Sequence, residues 1–310
     1  MSMNQSVLIC DQVNPVLNEI LEKNGLQITY EPEITPEQIL EKIENFEVII
    51  VRSRTKITKD MIEKANKCQI IARVGVGLDN IDQAAAKEKN IRVINAVEGA
   101  MNAVAELVIG LMLSLAREIP RADREVRNGN WIKKELMGTE LRGKYLGIVG
   151  LGNIGKRLGR LARALNMNII GYDVVPIDEE FSSEVGLMKA DLGTLLASSD
   201  YVSLHVPLLD STKHLINAEK MSTMKNTSRI INTSRGGVID EDALYEFLKD
   251  GKLGGAALDV FEVEPATSNK LASLPNFIST PHMGAQTKEA QSLAANVIAE
   301  KIIQILRGVI

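Results

Sequence analysis

Leu146-Gly147-Ile148-Val149-Gly150-Leu151-Gly152-Asn153-Ile154-Gly155 decides the fold of this chain. Apolar residues suited to a buried strand run into three spaced glycines and then into an amphipathic helical stretch over 154–164. Each glycine has a task in a strand-turn-helix unit. Gly150 permits the tight turn, Gly152 lets the backbone approach a pyrophosphate at the helix N-terminus, and Gly155 lets helix pack on strand. The next expected strand, 168–172, runs into Asp173, whose carboxylate can accept hydrogen bonds from ribose hydroxyls. Loop and carboxylate together predict a dinucleotide site. Val174, Val175 and Pro176 supply no arginine for a 2'-phosphate, so NAD is expected rather than NADP.

Outward from this loop, short apolar runs alternate with helical ones. Strands are expected at 6–10, 27–30, 48–51, 69–73 and 92–94, and again at 145–149, 168–172, 201–204, 229–232, 255–259 and 277–279. That rhythm predicts an α/β fold of two Rossmann-like, doubly wound parallel-sheet domains with the active site in the cleft between them. The expected division is a substrate-binding domain over 1–98, completed by 286–310, and an NAD domain over 99–285. Thr35-Pro36-Glu37-Gln38 combines an N-cap, a proline at the first helical position and a capping-box partner, so a helix should start there. The stretch 100–115 is apolar nearly all round and predicts a helix buried on more than one side. The polar stretch 121–142, with the only tryptophan, Trp131, predicts an excursion from the sheet.

The chain has 310 residues, 45% of them hydrophobic, enough for a large core. Its 36 basic and 40 acidic residues give a net charge of -4, which offers no field to gather nucleic acid or anionic membrane. A small-molecule partner is expected. Cys10 and Cys68 border apolar runs and are expected as buried free thiols in a reducing, cytoplasmic setting. Met1-Ser2-Met3-Asn4-Gln5 shows no basic region with a long apolar core, so no secretory leader is expected. The run 107–115 is too short to cross a bilayer.

Three groups carry the chemistry: Asn232-Thr233-Ser234-Arg235-Gly236-Gly237, Phe261-Glu262-Val263-Glu264-Pro265 and Thr280-Pro281-His282-Met283-Gly284-Ala285. Arginine, carboxylate and histidine downstream of a dinucleotide loop are the parts needed to hold a 2-hydroxy carboxylate and move its proton while a nicotinamide takes its hydride. His205, in Leu204-His205-Val206-Pro207, ends a strand and should line the cofactor side; His214 lies in a polar loop and reads as solvated. Three scattered histidines without close Cys or His spacing make no metal site. Arg73-Val74-Gly75-Val76-Gly77-Leu78-Asp79-Asn80 puts Asn80 where a phosphate loop needs its third glycine, and reads as a cleft-lining turn with backbone amides open to a carboxylate.

These residues resemble the D-isomer-specific 2-hydroxyacid dehydrogenase family over about 6–308. Val51-Arg52-Ser53-Arg54-Thr55, the 75–80 turn, Met137-Gly138-Thr139-Glu140-Leu141, Gly255-Ala256-Ala257-Leu258-Asp259-Val260-Phe261 and the residues from Pro281 to Thr287 look like its signatures. The resemblance implies Arg235, Glu264 and His282 as catalytic residues. It puts Gly150, Gly152, Asn153, Ile154 and Gly155 at the pyrophosphate, Asp173 at the adenosine ribose, and Thr233 and Asp259 at the nicotinamide end. Val76, His205, Val206, Pro207, Thr212, Ser234, Arg235, His282, Gly284 and Ala285 complete the implied cofactor set. Arg52, Ser53, Arg73, Val74, Gly75 and Val76, with Arg235 and His282, are implied to face the substrate.

The implied activity is NAD-dependent oxidation of D-3-phosphoglycerate to 3-phosphohydroxypyruvate, a step of serine biosynthesis, in a homodimer or higher homo-oligomer. The phosphate would meet Arg52, Arg54 and Arg73, joined by Lys133 or Lys134. Glyoxylate or hydroxypyruvate reduction is the alternative within the family, and an NAD-sensing corepressor is the alternative of another class. Two departures stand out: Ala100 where many relatives carry asparagine, and Gln286 in a stretch usually Gly-Ala-Ser-Thr. The end of the chain after its last helix leads to the expectation that no C-terminal regulatory module is present and that L-serine does not inhibit.

Overall fold

A computed structural model describes residues 4–309; Met1-Ser2-Met3 and Ile310, the former read above for a secretory leader, lie outside the described residues. The chain divides into two compact units, 1–101 with 285–310, and 102–284. The first holds a parallel sheet of five strands, β1 (Ser6–Ile9), β2 (Gln27–Tyr30), β3 (Val48–Val51), β4 (Ile70–Arg73) and β5 (Arg92–Asn95), in the order β2-β1-β3-β4-β5. The second holds seven: β6 (Tyr145–Val149), β7 (Asn168–Tyr172), β8 (Met188–Lys189), β9 (Tyr201–Leu204), β10 (Arg229–Asn232), β11 (Gly255–Leu258) and β12 (Phe277–Ser279). Their order is β12-β11-β10-β9-β6-β7-β8, again all parallel.

Parallel strands covered on both faces must be apolar throughout, and the sequence shows why these are. In the first unit Val7, Ile9, Val48, Ile50, Ile70 and Ala72 face one core, while Leu8, Ile49, Val51 and Ile71, the alternate positions of the same strands, face another. Truncating a fully buried side chain such as Leu8 to alanine should cost about 2–5 kcal/mol. The two-residue strand β8 was missed by the sequence reading because Met188-Lys189 is too short to show a period and is exposed.

Thr35 caps the helix Pro36–Lys42 as the pattern predicts: its hydroxyl accepts from Gln38 N–H while the Gln38 side chain accepts from Thr35 N–H. The apolar helix is longer than its greasy run, spanning Val97–Arg117, and by length and composition it could cross a bilayer; half of its most apolar window is buried. Val108, Leu111, Met112 and Leu115 enter the core of the second unit, but Leu113 is exposed, so burial is not all round. The polar stretch after it forms the helix Ile119–Arg127 and then irregular chain on which Trp131 and Met137 stand out in solvent. The closing helix Lys288–Leu306 seals the first unit with Ala295, Ile298, Ala299 and Ile302. Gly99 lies so close to this helix that a Cβ there would stand 2.8 Å from that of Ala294. Cys10 and Cys68 are buried free thiols, and burial pushes both up to about 12.

Candidate active site

Register brings the three chemistry-bearing loops together. Asn232 pairs with Leu258, and Leu258 with Ser279, so β10, β11 and β12 end flush and their following segments leave the sheet side by side. Arg235, Glu264 and His282 stand on these neighbouring exits. His282 Nδ1 and Glu264 Oε2 are 2.8 Å apart, and the other oxygen of Glu264 accepts from Phe261 N–H at 3.1 Å. With Nδ1 facing the carboxylate, Nε2 is the nitrogen left to exchange a proton.

Buried polar groups support these loops. Asn232 is 1% exposed; its side-chain Oδ1 accepts from the Ser234 N–H and hydroxyl, and its Nδ2 donates to Arg235 O at 2.8 Å. Asp259, just past the end of β11 rather than within it, is equally buried. It accepts from Thr280 Oγ1 at 2.6 Å, Met283 N–H at 2.8 Å and Gly284 N–H at 2.9 Å. Asp259 therefore clamps the His282 loop, a role the sequence reading did not assign. Neither Asn232 nor Glu241, which reaches the Glu262 N–H at 2.6 Å, was singled out. Only their place at a strand end or helix start could have drawn notice.

On the other side of the same sheet, β9 and β7 flank β6, so the chain turns outward in both directions from it; ligands bind at such a switch point. Gly150, with φ of 92°, lies against the backbone of His205, where a Cβ would sit 2.5 Å from the carbonyl oxygen. Gly155 is packed against Gly150 itself, and a Cβ there would stand 2.1 Å from Gly150 O. A Cβ on Gly152 would meet nothing within 4 Å, and the helix Asn153–Ala164 starts there with no side-chain cap. The turn thus leaves room and helix-terminal amides for a phosphate. Asp173 is held at the end of β7 by the Leu151 N–H at 2.6 Å and the Val175 N–H at 3.2 Å. The buried Thr233 hydroxyl has no hydrogen-bond partner among the described residues. An open glycine turn, a fixed carboxylate and an orphaned hydroxyl fit NAD.

Some expected contacts are placed differently. The Thr212 hydroxyl is engaged with Pro207 O at 2.6 Å and Leu209 N–H at 2.8 Å, so it serves its own loop. Ala285 O accepts from Gln291. His205 bonds Ser203 Oγ through Nε2 at 2.8 Å, and burial of the ring lowers its pKa to about 4, so it is neutral at neutral pH. His214 is not simply solvated: its Nε2 lies 3.1 Å from Glu262 Oε1.

Within the first unit, Val51 pairs with Arg73, so the 52–55 and 74–77 turns leave adjacent strands. Here three arginines differ. Arg54 is a scaffold cation, bonding Cys10 O, Pro32 O and Ile34 O and lying 3.2 Å from the buried Asp11. Arg73 bonds Arg52 O and Gly77 O and ties the two turns together. The guanidinium of Arg52 has no hydrogen bond or ion pair among the described residues, and burial holds its pKa below the usual value. Val74 is 3% exposed and belongs to the core rather than to a ligand. The Gly75 N–H donates to Arg73 O, so that one amide of the turn is already engaged, and Val76 O accepts from Asn95. Ser53 is exposed.

Residues 109–284 match the model of a family described as D-isomer specific 2-hydroxyacid dehydrogenase, NAD binding domain. Over 97% of its length the chain is 47% identical to D-3-phosphoglycerate dehydrogenase of Methanocaldococcus jannaschii, and it spans 57% of that relative. It is 46% identical to hydroxypyruvate reductase of Thermotoga maritima, with 93% of each chain covered. The solved structure of a glyoxylate reductase from Paecilomyes thermophila is similar with a TM-score of 0.89 at 30% identity, covering 97% of this chain and 95% of that one.

Proposed function

This chain belongs to the D-isomer specific 2-hydroxyacid dehydrogenase family, and from that premise we propose that it oxidises the C2 hydroxyl of a small D-2-hydroxy acid, D-3-phosphoglycerate, in an NAD-dependent step. The observation that carries the reading is the 2.8 Å contact of His282 Nδ1 with Glu264 Oε2, on the strand exit next to that of Arg235. NAD held at the Gly150 turn would supply the hydride acceptor for C2. His282 Nε2 takes the hydroxyl proton in oxidation and returns it in reduction. Glu264 orients the ring by holding Nδ1 toward its carboxylate. Arg235 pairs with the substrate carboxylate, where a two-pronged guanidinium contact fixes which face of C2 is presented. Gly150, Gly152 and the first turn of the helix Asn153–Ala164 would hold the pyrophosphate, and Asp173 the adenosine ribose. Arg52, whose guanidinium makes no hydrogen bond or ion pair among the described residues, is the cation we assign to the phosphate.

A second reading, hydroxypyruvate or glyoxylate reduction, is favoured by one observation: Arg54 and Arg73 are engaged with carbonyls, leaving fewer cations for a phosphate than the sequence suggests. The two are separated by comparing kcat/KM for phosphohydroxypyruvate and hydroxypyruvate in the reductive direction. The phosphoglycerate reading expects a preference of about one to two decades for the phosphorylated acid, the worth of one charge-assisted contact of about 1.5–3 kcal/mol. Equal use of both would promote the reductase.

A further inference from the structure

The Glu264–His282 pair is exposed, with 37% of the glutamate side chain and 51% of the histidine side chain open to solvent. Exposed ion pairs contribute only about 0–1 kcal/mol and do not hold two side chains in place by themselves. Its geometry must therefore come from the backbone that carries it. We infer that Glu241, which opens the helix Glu241–Lys249, is a positioning residue that holds the 261–264 turn in the shape from which Glu264 reaches His282.

Two successive amides of that turn are divided between two carboxylates. Phe261 N–H goes to Glu264, and Glu262 N–H goes to Glu241 Oε1 at 2.6 Å. The other oxygen of Glu241 accepts from Asn269 Nδ2, also at 2.6 Å. One carboxylate thus grips the segment that bears Glu264 both before and after that residue. The grip is returned, since Glu262 Oε1 accepts from Glu241 N–H at 3.2 Å and lies 3.1 Å from His214 Nε2. On a further side the turn rests on Gly236, where a Cβ would fall 1.8 Å from Phe261 O, so the loop carrying Arg235 abuts the same peptide. Burial, with Glu262 and Asp242 close by, raises the pKa of Glu241. A carboxylate kept in so unfavourable a place is accounted for by the two donors it holds.

This inference rests on the acid/base reading of Glu264 and His282. The test measures kcat and the His282 ring tautomer, read from 15N shifts, in Glu241→Ala and Glu241→Gln. A misplacement of about 1 Å near reacting groups costs on the order of 10²-fold. Glu241→Ala should therefore lower kcat by roughly tenfold to a hundredfold, leave the KM for NAD unchanged, and turn a single Nδ1-protonated tautomer into a mixture. Glu241→Gln keeps an acceptor for the Glu262 N–H but sets its own amide against that of Asn269, so its loss should be smaller with an intermediate tautomer mixture. If the alanine variant does not fold, the glutamine variant carries the test. Wild-type kcat and an unchanged tautomer in a folded variant would overturn the inference. His282→Ala in the same assay separates the two ideas, because retained activity there would remove the acid/base reading while the tautomer still reports on Glu241.

Discussion

At the ends of β3 and β4 in the first unit, Arg52, Arg54 and Arg73 leave the sheet; at the ends of β10, β11 and β12 in the second, Arg235, Glu264 and His282 do the same. Both sets sit where open parallel sheets bind ligands. In the first unit two of the three charged groups turn back onto the protein, Arg54 onto three carbonyls and Asp11, Arg73 onto two carbonyls. In the second, Arg235 also turns back, its guanidinium donating to the neighbouring Ser234 O at 2.6 Å, while Asn232, Asp259 and Glu241 hold the loops and the Glu264–His282 pair stays exposed. Residue type at a strand end therefore does not separate scaffold from site. What differs is reach: Arg54 bonds carbonyls 20 to 44 residues away in the chain, whereas the Arg235 bond to Ser234 O is to its own neighbour.

The largest effect expected from this contrast is at His282. His282→Ala should lower kcat by about 10²–10⁴ while NAD still binds, the usual worth of a positioned acid/base group. Near-normal turnover would place the chemistry elsewhere. A smaller effect concerns the cofactor. The carboxylate of Asp173 is fixed by two backbone amides, and the neighbouring Val174 and Val175 offer no cation. A 2'-phosphate would face like charge, so kcat/KM with NAD should exceed that with NADP by about tenfold or more. Parity between the two would show that Asp173 does not face the ribose.

The smallest effect is a pH dependence of stability from His205. Its pKa falls from an ordinary 6.5 to about 4 in the folded protein because burial disfavours the charged ring. Between those values the unfolded chain binds the proton and the folded one does not, so stability is lost as pH falls from about 6.5 toward 4. Denaturant midpoints across that window should show a shallower decline in His205→Gln than in the parent. Identical slopes would mean that His205 is not desolvated.

Much of the fold was legible because parallel strands buried on both faces must be apolar runs, and Val48–Val51 or Tyr201–Leu204 can be little else. Arg235, Glu264 and His282 were legible for a related reason: each follows such a run, and parallel register brings the ends together. What was not legible is partner choice. Nothing local to Arg54 shows that Cys10, Pro32 and Ile34 will turn their carbonyls toward it from 20 to 44 residues away in the chain. The roles of Asp259 and Glu241 are likewise set by loops that meet only in the folded sheet.

Arg52 and Arg54 test the role of long-range partners most directly, being the same residue type two positions apart. Each is replaced by methionine, and the unfolding midpoint and the kcat/KM for phosphohydroxypyruvate are measured side by side. Arg54→Met removes a donor from the carbonyls of Cys10, Pro32 and Ile34 and the ion pair from the buried Asp11, which keeps its bonds from Arg52 N–H and Thr55, so the unfolding midpoint should fall by the equivalent of about 1–3 kcal/mol with kcat/KM nearly unchanged. Arg52→Met should do the reverse, lowering kcat/KM by about one to two decades with little change in midpoint. If Arg54→Met lowered kcat/KM and Arg52→Met lowered only stability, hydrogen bonds of long reach would not distinguish scaffold from site in this protein.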